Sequence, residues 1–82
     1  MYKIYVIKQR RGGSERVPGS QTQSEYADVA RAGWRAAYYD LRWQTSEHLL
    51  LLTHKNEKLY VHRFGSAPGD ADYVAPDEDL SL

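Results

Sequence analysis

The chain has 82 residues, no cysteine, and equal numbers of acidic and basic side chains, so its formal net charge is zero. That length implies one domain, small enough to bury only about 60% of the surface of its own chain. The missing cysteines exclude disulfides and thiolate metal sites, and the balanced charge excludes a strongly basic nucleic-acid binder.

The charge is unevenly placed. Residues 1–64 hold all 11 Lys and Arg against six acids, whereas residues 65–82 hold five acids and no base. The division predicts a basic body (1–64) followed by an acidic flexible tail (65–82). The longest apolar run, residues 49–52, is far too short for a membrane span, and the N-terminal residues enter a strand pattern directly rather than a signal peptide.

In chain order, residues 2–8 read as a β-strand rich in β-branched and aromatic side chains, with both faces partly apolar. Residues 9–21 read as a basic loop punctuated by Gly12-Gly13-Ser14 and Pro18-Gly19-Ser20. It lacks the Lys-Ser/Thr ending of a phosphate-binding loop. A helix is predicted over residues 22–41, opened by a Thr22/Glu25 capping box. Its buried stripe would be Tyr26, Val29, Ala30, Gly33, Ala37 and Leu41, and its outer face Asp28, Arg31 and Arg35. Trp34 and Trp43 flank that stripe and read as lids on the core.

Residues 48–54 and 58–64 then predict a β-hairpin around a three-residue turn. In that register His54 pairs with Lys58, Leu52 with Tyr60, Leu51 with Val61 and Leu50 with His62. Leu49, Leu51, Leu59 and Val61 would face the helix, leaving Leu50, Leu52, Tyr60, His62 and Phe64 on the other side. The fold class is therefore α+β with β-α-β-β order: one three-stranded, mostly antiparallel sheet with one helix across one face.

Chemistry finds little purchase in this pattern. His48 and His54 stand six residues apart on one strand, roughly 20 Å at about 3.3 Å per residue, and cannot share an ion. No Gly-x-Ser-x-Gly elbow is present, and paired carboxylates occur only in the tail, where nothing would shift their pKa values. The expectation is a protein without catalysis, metal or cofactor.

Two binding classes are left. A sheet this small leaves one apolar face uncovered, which marks an interface with another protein or with a second copy of the chain. The contacts on this reading are the sheet aromatics Tyr5, Tyr60 and Phe64, or the tail acids Asp70, Asp72, Asp77, Glu78 and Asp79 set against a basic surface. That basic surface would belong to a partner that itself holds nucleic acid, or to the chain's own arginine loop. The alternative is nucleic-acid binding, with Arg10, Arg11, Arg16, Arg31 and Arg35 on phosphates and the same aromatics as a stacking platform.

The opening strand at residues 1–7, the Ala-rich helix around 30–37 and the hairpin at 49–64 resemble the plan of small proteins encoded by phages and mobile elements. Among these are anti-CRISPR proteins, which inhibit bacterial immune complexes by binding them. The resemblance is one of architecture, without a shared motif. It implies an inhibitor that binds and blocks such a complex in the cytoplasm of a bacterial host.

Overall fold

The computed structural model describes residues 1–76 and 80–82. Among them the elements run β1 (Tyr2–Arg10), β2 (Gly13–Arg16), β3 (Thr22–Ser24), α1 (Ala27–Tyr38), a 3₁₀ turn (Leu41–Trp43), β4 (His48–His54) and β5 (Glu57–Arg63). The α+β class, with one helix on an antiparallel sheet, is as expected. The sheet, however, has five strands rather than three, in the order β2-β1-β4-β5, with β3 also paired to β1.

The two additional strands come from the segment expected to be loop and helix start. β2 pairs with the far half of β1, from Ile7↔Arg16 to Arg10↔Gly13, and β3 with its near half, from Tyr2↔Ser24 to Ile4↔Thr22. Between them β1 would have an unsatisfied edge, and the connecting segment fills it. Val17 donates its N–H to the Val6 carbonyl at 2.8 Å, and the buried Ser20 hydroxyl accepts the Val6 N–H at 3.1 Å. Buried backbone groups are almost always paired, and one serine serves that need here.

The helix begins five residues later than predicted. Thr22 is held in β3 opposite Ile4, so it cannot form a capping box with Glu25. The Ser24 hydroxyl instead accepts the Tyr26 N–H at 3.1 Å. Leu41 falls in the 3₁₀ turn, where the Asp40 carboxylate accepts the Arg42 N–H.

The central pairing, β1 with β4, is antiparallel over seven residue pairs, from Tyr2↔His54 to Lys8↔His48. The β4–β5 hairpin has Leu50↔His62, Leu51↔Val61 and Leu52↔Tyr60 as expected, but its turn holds two residues, not three. Lys55 and Asn56 both have positive φ (53° and 64°), the backbone of a type I′ turn, so His54 pairs with Glu57. A bulge after Tyr60↔Leu52 absorbs the extra residue, Leu59, and restores the register.

The helix covers the face opposite to the one predicted. Ile4, Val6, Leu50, Leu52 and Phe64 form the core with Ala30, Trp34, Trp43 and Leu80. Leu49, Leu51 and Val61 lie on the far face. On α1 only Ala30 and Trp34 are fully buried, while Val29, Tyr26 and Leu41 are 51%, 68% and 90% exposed. Trp34 displaces the expected stripe by about one residue: the large ring takes the centre of the sheet, edge-on to Tyr60 at 6.3 Å, and swings Val29 outward.

Candidate functional site

The expected aromatic platform is not assembled. Phe64 is wholly buried in the core and Tyr60 packs against it on the helix side, whereas Tyr5 lies on the far face of the sheet. There the Arg16 guanidinium lies over the Tyr5 ring at 3.9 Å and also donates to Gln21 at 2.6 Å. On this face Leu49 and Leu51 are only 8% and 5% exposed. Phe64 is therefore unavailable to a partner or to a base.

The arginines are likewise dispersed. Arg16 is on the far face of the sheet, whereas Arg31 and Arg35 are exposed on the helix that covers the other face, Arg35 lying 5.9 Å from the Tyr39 ring centre. Arg11 is exposed in the β1–β2 turn, and Arg10 pairs with Glu15 at 3.1 Å. These groups do not form one phosphate-tracking strip.

A cleft of about 320 Å³ beside that turn is lined by Lys8, Arg10, Arg42, Trp43 and His48. Arg16 lines it too. Three of its cations are matched by acids: Lys8 by Glu47 at 3.7 Å, Arg10 by Glu15, and Arg42 by a two-pronged contact with Asp40, whereas Arg16 meets Gln21 and the Tyr5 ring. The Arg42 guanidinium holds the Asp40 carboxyl below the usual carboxylate range. Arg16 is thus the cleft's cation with a neutral hydrogen-bond partner, Gln21.

In the expected tail, the described acids serve the chain itself. The Asp70 carboxylate accepts the Ala67 N–H at 2.9 Å. Asp72 forms an ion pair with Arg63, and its backbone carbonyl accepts the Arg63 N–H at 2.7 Å. Further on, Leu80 is buried in the core, and the Tyr60 hydroxyl accepts the Ser81 N–H at 2.9 Å. Asp72, Leu80 and Ser81 of this stretch thus make contacts with the body. Asp77, Glu78 and Asp79 lie outside the described residues.

A groove between α1 and β3 is a further open feature, and the sequence pattern alone does not point to it. Its main cavity, about 350 Å³, is lined by Ile4, Thr22, Ser24, Val29, Ala30 and Gly33. Thr22 and Gly33 also line a second depression of about 170 Å³, beside Ala36, Ala37 and Trp43. At Gly33 the helix lies close against the sheet: an added Cβ would stand 3.2 Å from both Ile4 Cδ1 and Thr22 Oγ1. The Ala30/Gly33/Ala37 series in the sequence permits that approach.

No titratable side chain lines the main cavity, so it suits apolar contact and not proton transfer. Among the described residues no group of three His, Cys, Asp or Glu side chains is placed to hold a metal ion, and no helix is long and apolar enough to cross a membrane. The chain matches no protein-family model, no curated protein and no solved structure.

Proposed function

We propose that the chain is a non-catalytic binding protein that acts by occupying a surface of a protein complex, with the α1–β3 groove as its contact. The observation that carries this reading is an apolar groove with strongly exposed apolar side chains at its margin. Val29 stands 51% exposed on the lining, and Tyr26, the residue that precedes the helix, is 68% exposed. Exposed apolar groups gathered beside a preformed depression are the usual anchor of a protein contact. The architectural resemblance supports the more concrete version: an inhibitor, of the kind phages encode, that blocks a bacterial defence complex in the host cytoplasm.

Val29→Asp tests the contact without threatening the fold. Residue 29 is in the first turn of α1, where a carboxylate is favourable to the helix dipole. Immobilised wild-type chain is expected to retain a protein complex from a bacterial lysate, and V29D to retain about tenfold less, the loss of one anchor of about 1.4 kcal/mol. Equal recovery by the two chains, with unchanged circular dichroism, removes the groove from the proposal. Salt-dependent binding of labelled DNA or RNA in fluorescence polarisation favours the nucleic-acid alternative instead.

A further inference from the structure

His62 is a buried imidazole, 3% exposed, on the core face of β5. Its Nδ1 accepts the backbone N–H of Val74 at 3.1 Å, which fixes the neutral tautomer with its proton on Nε2. The ring is stacked on Tyr38 of α1 at 4.3 Å and meets Phe64 and Tyr73 edge-on at 5.7 and 5.3 Å. Across β4 its partner is Leu50. The nearby charges come from Asp72, on the segment that crosses the ring, and from Arg63, which pairs with it.

We propose that residues 73–76 form an acid-opened flap: a proton on Nδ1 of His62 ends the bond from Val74 and frees this stretch from β5, between two clamps that stay closed. A protonated imidazole has only donors, so Nδ1–H would face the Val74 N–H, donor against donor, in a site that excludes water.

The upstream clamp does not titrate where His62 does. Upstream, Arg63 holds the Asp72 carboxyl below its ordinary 3.8, so that ion pair survives mild acid. Downstream, the clamp is a tyrosine hydroxyl bonded to the Ser81 backbone. Burial pushes His62 below its ordinary 6.5, with the field of Asp72 partly opposing the shift. The open form therefore takes up a proton at a higher pH than the closed form does. The closed flap is at full strength above pH 6.5, and it weakens as pH falls from there towards the lowered value of the closed state. Over that window the equilibrium moves towards the open form by up to about tenfold per pH unit.

The test is a pH titration of the full-length chain from 7.5 to 4.5, followed by backbone amide and imidazole NMR signals. The Tyr73 and Val74 amides are expected to move together with the His62 ring, with one midpoint below 6.5, while the Ser81 and Val6 amides hold. His62→Gln keeps an acceptor but has no proton to gain, and its Val74 amide is expected to stay flat throughout. Should that variant not fold, Val74→Pro removes the donor instead, and its Tyr73 signal at pH 7.5 is expected to match the wild type at low pH. A Val74 amide that ignores the His62 titration overturns the proposal. So does simultaneous loss of the Ser81 and Val6 signals, which would mean global unfolding, or a V74P chain whose Tyr73 signal stays in the closed position.

Discussion

Trp34→Ala is expected to lower the stability of the chain by about 3–5 kcal/mol, the range for removing a buried large aromatic. Trp34 is 0% exposed and belongs to the same core as Ile4, Val6, Leu50, Leu52 and Phe64. Domains are stable by about 0.05–0.15 kcal/mol per residue, so 82 residues correspond to roughly 4–12 kcal/mol in total. The substitution thus removes roughly a quarter or more of what holds the fold together. Thermal unfolding followed by circular dichroism should show a fall in Tm of roughly 15–30 °C, or no cooperative transition at all. Trp34→Phe separates size from polarity. The indole N–H of Trp34 is buried without a partner among the described residues, so phenylalanine keeps much of the ring and removes an unsatisfied donor. W34F is expected to cost far less than W34A; equal losses would show that the indole's full width is what the sheet needs.

The second large effect is expected at a small residue. Ser20→Ala takes away the hydroxyl that accepts the Val6 N–H at 3.1 Å and donates to the Val17 carbonyl at 2.7 Å. Val6 is wholly buried, on the central strand, at the gap between the two short strands on its edge. A buried donor left without an acceptor costs about 1–3 kcal/mol. Urea unfolding should show a lower midpoint with an unchanged slope, and hydrogen exchange at the Val6 amide should quicken. A shift below about 0.5 kcal/mol would show that water takes the place of the hydroxyl.

Ser20 also illustrates what the sequence could not disclose. β1, the helix body and the three central hairpin pairs were legible, because each rests on local periodicity and β-branched or aromatic composition. β2 and β3 were not. Gly13–Arg16 and Thr22–Ser24 are short and polar, and they are strands only because β1 offers them an edge; the cause is a tertiary pairing and not a propensity. The same pairing defeats the Thr22/Glu25 cap, a sound local motif that competes with a better use for threonine beside Ile4.

The choice of face failed for a different reason. Both sides of β4 carry leucines, so alternation alone cannot say which side the helix takes. The deciding residue is Trp34, whose bulk requires the side that also offers Phe64. Once the face is reversed, the candidate contact moves as well. Tyr60 and Phe64 go inside, and the exposed apolar surface becomes Val29 and Tyr26 beside the groove. A Phe64→Asp substitution would here place a charge in the core and unfold the chain.

The pairing of β1 with β4 also bears on how the chain reaches this state. The β4–β5 hairpin closes through a two-residue turn and can form by itself within microseconds. The strand at the middle of the sheet must instead find a partner forty to fifty residues further along. Such distant contacts require loop closure before they return any stabilisation, and they place a chain among the slower folders of its size. On the ribosome, β1 is made before β4. Until β4 has emerged, only the edge of β1 that takes β2 and β3 can be paired, and the other edge stays open to wrong partners.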